Sequence, residues 1–255
     1  MIPAAMDYVR ADSAEAAVAA LVAHGEEAKL LAGGQSLIPL MRLRLATPAV
    51  LVDVGRASDL VGIAVDSDTV SIGALTTHSA LEHSTDLATA CPLLAHVASV
   101  VGDPAVRHRG TLGGSLAHAD PASDLPAAVL ALGGTLVVTG SGGTREVAAT
   151  DFFTGFLESA LAADEVLTEV RVPVSTAGWA YQKFNRRAQD WAIVGAVVAE
   201  GGAGVALVNM GSTPLRASAV EAAVASGASA VEAAAGAAAG CLLYTSPRPR
   251  DGLRC

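Results

Sequence analysis

The sequence predicts an α+β fold made of three consecutive structural units, and three observations support this prediction. Residues 1–55 combine helical apolar periodicity with short apolar runs, which is typical of a compact unit of helices and strands. Residues 56–175 contain short apolar runs paired around turn sequences, a pattern that indicates hairpins. Residues 176–240 have the pattern of strands followed by an alanine-rich helical stretch.

The first unit opens with a predicted helix. Asp12 and Glu15 form a candidate capping pair, and His24-Gly25 is a typical helix end. The apolar face of this helix consists of Ala14, Val18, Leu21 and Val22. The other elements predicted for the unit are a strand at 29–32, a brief helix at 36–43 capped by Ser36, and a strand at 50–54.

The second unit is predicted to contain a hairpin, a helical region and further strands. Its hairpin spans 63–65 and 70–74, and its helical region spans 77–101. Residues 102–126 are rich in Gly, Pro, Asp and His, which predicts a functional loop rather than a regular element. The further strands are predicted at 135–139, 144–147 and 166–172, with a connecting turn at 151–155.

The third unit is predicted to contain strands at 179–184, 192–200 and 204–210 and a helix over 218–239. The composition changes abruptly after that helix. Residues 241–255 resemble the translated read-through of a sequencing adapter, so they are predicted to be a non-native or disordered tail. The predicted domains are therefore 1–55, 56–175 and a smaller, truncated 176–240.

Composition excludes several classes of protein. The chain has 255 residues, 52% of them hydrophobic and 16% charged, which is typical of a globular protein. Its net charge of −9, with 16 Lys plus Arg, argues against nucleic-acid binding, because such binding needs a basic face.

The cysteine spacing and the apolar runs exclude several kinds of site and segment. Cys91, Cys241 and Cys255 form no metal-binding spacing, which predicts neither a zinc site, nor an iron–sulfur centre, nor a disulfide framework. The first residues lack the pattern of a signal peptide, and no apolar run reaches the roughly 18 residues of a membrane span. A cytoplasmic location is therefore expected.

Two glycine-rich segments are the strongest chemical signal. Loop 1 comprises residues 32–37 (AGGQSL) and loop 2 comprises residues 111–116 (TLGGSL). Paired glycines allow backbone N–H groups to converge on an anion, so two such loops suit the two ends of a pyrophosphate. The alternative is that the glycines only make turns, and the residues alone leave nucleotide or phosphate binding and simple turns both open.

Other nucleotide-binding and hydrolase motifs are absent from the sequence. It contains no GxGxxG at a strand-to-helix turn, no GxxxxGK[ST] and no GxSxG. Ser115, His118 and Asp120 are too close together along the chain to suggest a catalytic triad.

Longer motifs around the two loops resemble a known family. They are AGGQSLIPLM at 32–41, RGTLGGSLAHADP at 109–121, EVLTEV at 165–170 and YQKFNRR at 181–187. Together they resemble the FAD-binding medium subunit of molybdenum hydroxylases, a group that includes aerobic carbon monoxide dehydrogenase and the xanthine dehydrogenases. The resemblance extends to about Met210. It implies a two-lobed FAD-binding domain of the vanillyl-alcohol-oxidase/PCMH-like type, followed by a smaller C-terminal α+β domain with antiparallel strands.

The resemblance also implies a set of cofactor-binding residues. Loop 1 and loop 2 would contact FAD through backbone N–H groups, Asp124 would accept a hydrogen bond from a cofactor hydroxyl, and Lys183 would lie near the flavin. The complete set is Ala32, Gly33, Gly34, Gln35, Ser36, Leu37, Thr111, Gly113, Gly114, Ser115, Asp124, Leu167, Lys183 and Trp191.

Several of these residues have a simpler alternative role. Leu167 is typical of a core residue, Asp124 of a turn residue and Lys183 of a solvated charge on a strand. Trp191 occupies the place where relatives have a Tyr near the isoalloxazine, and without the resemblance it would be assigned to the core.

The function implied by the resemblance is electron transfer through FAD, with no catalytic residue and no metal ligand on this chain. The implied partners are a molybdopterin-containing large subunit and a [2Fe-2S] small subunit, in a heterotrimer, with a dimer of such heterotrimers as the alternative. Two alternatives remain at this point: a self-contained flavin oxidase or reductase of the same fold, and a degenerate interaction subunit without flavin.

Overall fold

The N-terminal unit is a small parallel sheet. A computed structural model describes residues 2–238, and the tail predicted at 241–255 lies outside the described residues. The elements of this unit are β1 (Asp7–Arg10), α1 (Ala14–His24), β2 (Ala28–Leu31), α2 (Leu37–Arg42) and β3 (Val50–Asp53). The strands pair in the order β1-β3-β2, all parallel.

The predicted capping pair of the first helix is wrong. Ser13 is the N-cap of α1, and its side chain accepts a hydrogen bond from the Ala16 backbone N–H at 3.1 Å. Ala17, Val18 and Leu21 are buried in the core of this unit, whereas Val22 is 55% exposed. The Ser13 hydroxyl therefore satisfies one of the free N–H groups at the start of α1, and the cap lies one residue later than the predicted Asp12.

The second unit is an antiparallel sheet of five strands. They are β4 (Ile63–Val65), β5 (Thr69–Gly73), β6 (Thr135–Gly140), β7 (Gly143–Ala148) and β10 (Val166–Pro173), in the order β4-β5-β10-β6-β7. A short hairpin, β8 (Phe153–Gly155) and β9 (Glu158–Ser159), precedes β10. The register of β10 against β6 shifts between Leu167 and Glu169, a bulge of the kind that re-aims a side chain.

A helical layer connects β5 to β6 and packs on this sheet. Its helices are α3 (His78–His83), α4 (Thr85–Ala90), α5 (Pro92–Ser99), α6 (Pro104–Arg107), α7 (Leu112–His118) and α8 (Asp124–Ala131), and the four-residue α9 (Ala149–Phe152) follows β7. Cys91 is fully buried at the start of α5, as expected for a small core residue. Every residue of α8 is buried, which places this helix at the centre of the largest core.

The prediction of an irregular loop over 102–126 is wrong, because this segment contains α6, α7 and the start of α8. Asp103 caps α6 through a hydrogen bond of 2.9 Å from the Val106 N–H. Thr111 caps α7 in the same way. Gly113 allows α7 to lie against the end of β5, since a Cβ atom there would be 2.8 Å from the Ala74 carbonyl oxygen.

The C-terminal unit is a four-stranded antiparallel sheet covered by helices. Its elements are β11 (Ala180–Phe184), β12 (Val194–Ala199), β13 (Gly204–Val208), β14 (Leu215–Arg216), α10 (Ser218–Ala225) and α11 (Ala230–Ala235). The single helix predicted over 218–239 is interrupted, because Gly227 has a φ of +81° and Ser229 starts α11 with a capping box to Glu232. Strand β13 is buried along its whole length and contacts both α8 and α10.

The α+β prediction is confirmed by this arrangement. Within residues 2–238, no helix combines the length and the apolar character that a membrane span requires.

Candidate functional site

A cleft of about 950 Å³ lies between the N-terminal sheet, the helical layer and β10. This volume is at the upper end of the range that small-molecule sites occupy. Every residue of the predicted cofactor-binding set lines this cleft: Ala32, Gly33, Gly34, Gln35, Ser36, Leu37, Thr111, Gly113, Gly114, Ser115, Asp124, Leu167, Lys183 and Trp191. Folding therefore brings together residues that come from all three predicted units, although their contacts with a cofactor remain a prediction.

Loop 1 connects β2 to α2 and offers backbone donors to the cleft. Among the described residues, the backbone N–H groups of residues 33–37 make no hydrogen bond to a protein acceptor. Gly34 has a φ of +73°, a conformation that glycine adopts without strain. Ser36 precedes α2 and its hydroxyl makes no capping hydrogen bond. Loop 1 thus has several donors available for an anionic ligand.

Loop 2 differs from loop 1, because the N–H groups of residues 112–115 already have protein acceptors. The N–H groups of Leu112 and Gly113 donate to the carbonyls of Thr76 and Ala74 at 3.0 and 2.8 Å. The N–H groups of Gly114 and Ser115 donate to the Thr111 hydroxyl and the Thr111 carbonyl, at 3.1 and 3.0 Å. The structure therefore revises the expected role of loop 2: backbone N–H groups 112–115 are used to hold α7 in place.

The two loops are in direct backbone contact. A Cβ atom on Gly33 would lie 2.0 Å from the Arg109 carbonyl oxygen and 2.8 Å from the Gly110 Cα. The absence of a side chain at Gly33 therefore allows loop 1 to pack on the backbone of residues 109–110, just before loop 2.

Thr111 is buried and caps α7, so its hydroxyl has a measurable effect on stability. In a Thr111→Val variant, the Gly114 N–H loses its acceptor, and we expect the free energy of unfolding to fall by about 1–2 kcal/mol. Urea unfolding of the purified protein measures this loss. Thr89→Val is the control, because Thr89 is exposed in α4, and a change within about 0.5 kcal/mol is expected there. Equal losses in the two variants would contradict the capping role.

Asp124 and Lys183 form a buried ion pair at one end of the cleft. The Lys183 Nζ donates to Asp124 Oδ2 at 2.8 Å, and their side chains are 10% and 5% exposed, respectively. Lys183 also donates to the Val100 carbonyl at 3.2 Å, and the Tyr181 hydroxyl donates to Asp124 Oδ1 at 2.5 Å. The alternatives from sequence are therefore wrong: Asp124 is the first residue of α8, and Lys183 is not a solvated charge.

Burial and these hydrogen bonds shift the pKa of Asp124 in opposite directions. Burial raises the pKa of the Asp124 carboxyl, whereas the charge and hydrogen bond of Lys183 and the hydrogen bond of Tyr181 lower it, and the net shift is upward. Burial, followed by the nearby Asp124 carboxylate, raises the pKa of Tyr181 far above its usual range. The tyrosine therefore keeps its proton and acts as a donor.

Leu167 and Trp191 lie at the cleft surface in different ways. Leu167 is 5% exposed and belongs to the main core, and part of it also lines the cleft. It is therefore both a core residue and a cleft residue. Trp191 is 59% exposed, which contradicts its alternative assignment to the core. An exposed indole beside a cleft is available for stacking on a flat ligand.

Sequence reasoning missed part of the cleft wall. Missed lining residues include His78, Val101, Gly102, Asp103, His118 and most of the segment 157–163. His118 lies one turn after Ser115 on α7, so helical spacing would have found it if α7 had been predicted. The segment 157–163 has no motif and is held by the Arg145–Glu165 ion pair at 2.7 Å, together with hydrogen bonds to Ala160 and Ala162.

His78 is the buried histidine of the cleft. It is 4% exposed, and its Nδ1 has no hydrogen-bond partner among the described residues. Burial, followed by the charge of Arg107, lowers the pKa of His78 to about 4, so the ring is neutral near pH 7. Its ring packs under Gly110, where a Cβ atom would be 2.8 Å from Nε2, which gives His78 a structural role. Within the described residues, no group of three or more His, Cys, Asp or Glu side chains is arranged to hold a metal ion.

Comparison with known families decides the family to which the chain belongs. The family described as "FAD binding domain in molybdopterin dehydrogenase" matches residues 4–175. The chain belongs to this family. The predictions of FAD as the cofactor and of an oxidoreductase component are confirmed by this membership.

Two similar proteins support the same assignment. The carbon monoxide dehydrogenase medium chain of Afipia carboxidovorans is 43% identical over 224 residues, covering 84% of this chain and 78% of that protein. The caffeine dehydrogenase subunit beta of a Pseudomonas species is 37% identical over 231 residues, covering 87% and 78%.

A solved structure shows the same fold. A chain of carbon monoxide dehydrogenase from Hydrogenophaga pseudoflava, in a form that lacks the Mo-pyranopterin moiety, superposes with a TM-score of 0.90 at 42% identity. The superposition covers 97% of this chain and 90% of that chain. This likeness confirms the predicted PCMH-like FAD-binding fold with a smaller C-terminal α+β part.

The residues of the cleft fit the cofactor of this family. A dinucleotide carries a pyrophosphate, and loop 1 supplies N–H groups without protein acceptors where such an anion needs donors. The cleft also has an exposed indole for a flat ring and a buried carboxylate that can accept from a hydroxyl.

Proposed function

We propose that this chain is the FAD-containing electron-transfer subunit of a molybdenum hydroxylase complex. It would take electrons from iron–sulfur centres of a partner subunit and pass them to an external acceptor. FAD supplies the chemistry that this role needs, because it exchanges electrons singly and in pairs. The chain contributes binding, orientation and the electrostatic environment.

The observation that carries this proposal is loop 1. Its N–H groups at residues 33–37 have no protein acceptor, and they line the cleft in the segment matched by the FAD-binding family. We propose that these donors hold the FAD diphosphate. Because the amides of α7 are already bonded, loop 2 would contribute through the Ser115 hydroxyl and through the tight packing of its glycines.

The remaining cleft residues have complementary roles in the proposal. Asp124 accepts a hydrogen bond from a hydroxyl of FAD, and Lys183 places a positive charge beside the site. Leu167 offers an apolar surface, and Trp191 lies where it can stack on the isoalloxazine. In this proposal, residues 1–55 and 56–175 are the two lobes that hold FAD, and the smaller C-terminal domain starts at residue 176.

The proposed partners are a molybdopterin-containing large subunit and a [2Fe-2S] small subunit. This part of the proposal rests on the relatives, which are named as medium chains or subunits of dehydrogenases. The substrate of the complex would then be oxidised on another chain, and this cleft would not bind it.

Flavin content tests the proposal most directly. The purified 255-residue chain is expected to be yellow, with flavin absorbance in the visible range and about one FAD released per chain on denaturation. FAD-free protein should recover the spectrum when FAD is added. A colourless protein that takes up no FAD would contradict the proposal and would favour an interaction subunit without flavin.

Co-purification tests the partners. Isolated from the cells that encode it, the chain is expected to elute together with polypeptides that contain molybdenum and iron. Elution as a yellow protein without either metal, and with its own oxidase or reductase activity, would favour a self-contained flavoprotein instead.

A further inference from the structure

We propose that Tyr181 is a positioning residue of the cofactor site, whose hydroxyl holds the Asp124 carboxylate oriented and ready to accept a hydrogen bond from FAD. The inference rests on the proposed function, because it takes FAD as the ligand of Asp124. Tyr181 itself is 7% exposed and does not line the cleft, so it acts on the ligand through Asp124.

The geometry comes from two residues on the same face of one strand. Tyr181 and Lys183 are two positions apart on β11, so their side chains lie on the same face of the strand, and both reach the first residue of α8. Tyr181 Oη donates to Oδ1 at 2.5 Å, and Lys183 Nζ donates to Oδ2 at 2.8 Å. Each carboxylate oxygen therefore has one protein donor and keeps a lone pair for another.

Lys183 and Tyr181 have different effects on the Asp124 carboxylate. Lys183 supplies the opposite charge, but its flexible chain fixes only one oxygen and also bonds to the Val100 carbonyl. The rigid phenol of Tyr181 fixes the second oxygen, so the carboxylate plane of Asp124 cannot rotate about the Cβ–Cγ bond. A carboxylate with a fixed plane is preorganised for a ligand hydroxyl, whereas a rotating one must be ordered when the ligand binds.

The other ionisable groups around α8 do not replace Tyr181. His96 on α5 lies with its ring centroid 6.5 Å from the Tyr181 ring, so it contacts the tyrosine and not the carboxylate. His118 on α7, Asp151 on α9 and Arg216 on β14 are on elements that pack near α8, and none of them is hydrogen-bonded to Asp124 in the described residues. The pKa of Asp124 therefore depends on its burial, which raises it, and on Lys183 and Tyr181, which lower it.

A Tyr181→Phe variant tests the inference. Titration of the FAD-free full chain with FAD, followed by flavin fluorescence from about pH 8 to about pH 5, gives the affinity at each pH. We expect about tenfold weaker binding at neutral pH, the size of a lost hydrogen bond to a charged group. Because the lost hydrogen bond lowered the pKa of Asp124, the variant should also lose affinity more steeply towards pH 5.

Tyr8→Phe is the matched control. Tyr8 Oη also donates to an aspartate, Asp53 Oδ2 at 2.6 Å, but neither residue lines the cleft. This variant should bind FAD like the wild type at every pH. In an Asp124→Asn background, adding Tyr181→Phe should cause little further loss, since the partner of the tyrosine is no longer a carboxylate.

The outcomes separate this inference from the proposed function. Equal FAD affinities for the wild type and Tyr181→Phe would overturn the inference and leave the function intact. Weaker binding with a parallel pH profile would also overturn it, because that result indicates general loosening of the fold. A wild-type chain that binds no FAD would contradict the proposed function and the inference together.

Discussion

Replacing Gly33 with alanine is expected to weaken FAD binding about tenfold to hundredfold, because the new methyl group forces loop 1 away from its neighbour. The added Cβ atom would lie 2.0 Å from the Arg109 carbonyl oxygen, and because that oxygen belongs to the backbone, no side-chain rotation relieves the overlap. Loop 1 must therefore shift, and the N–H groups at 33–37 move with it. The dissociation constant for FAD, measured by fluorescence titration, reports this effect.

Gly142 provides the control for the Gly33 variant. It lies in the turn between β6 and β7, its φ is not in the left-handed region, and a Cβ atom there would meet nothing within 4 Å. Gly142→Ala should leave FAD affinity unchanged. Wild-type affinity in Gly33→Ala would show that the packing of loop 1 on Arg109 does not position the cofactor donors.

Replacing Lys183 with methionine is expected to lower the free energy of unfolding of the FAD-free protein by about 3–5 kcal/mol at neutral pH. Methionine keeps most of the side-chain volume but leaves the Asp124 carboxylate buried without its counter-ion. Urea unfolding measures the loss. Arg187→Met is the control, since the Arg187–Asp190 pair is exposed and separated by 3.8 Å, and it should change stability by less than about 1 kcal/mol.

The loss in Lys183→Met should depend on pH in a defined direction. Burial already raises the pKa of Asp124, and removing Lys183 raises it further, because Lys183 is the largest influence that lowers it. The folded variant then binds a proton more readily than the unfolded chain does, so its stability falls as the pH rises through this raised pKa. Below the ordinary carboxyl pKa, near about 4, the deficit due to the unpaired charge should disappear.

A second substitution checks the cause of this loss. Asp124→Asn in the Lys183→Met background removes the buried charge and should recover much of the lost stability at neutral pH. A deficit that is constant with pH, or that Asp124→Asn does not reduce, would show that lost packing rather than the unpaired carboxylate destabilises the variant.

Local sequence patterns predicted much of the fold correctly. The sequence predicts the hairpin of β4 and β5 and the separate strands β6 and β7, because alternating residues around short turns depend on near neighbours. The helices in 102–126 were missed. Glycine and proline normally break helices, but here Asp103 and Thr111 supply caps and Gly113 fits against Ala74, which only the packed structure shows.

By itself, the sequence determined the family, the cofactor and the residues that come together at the cleft, because long motifs keep their order and their flanks. Only the tertiary structure decided which protein groups each of these residues contacts. The N–H groups of Leu112 and Gly113 are occupied because Thr76 and Ala74, distant in sequence, provide their acceptors, whereas the N–H groups of residues 33–37 have no protein acceptor. Asp124 meets Lys183 and Tyr181 because β11 packs near the start of α8, a contact between residues more than fifty positions apart. Hydrogen-bond partners and buried charges are set by such distant neighbours, so no local pattern records them.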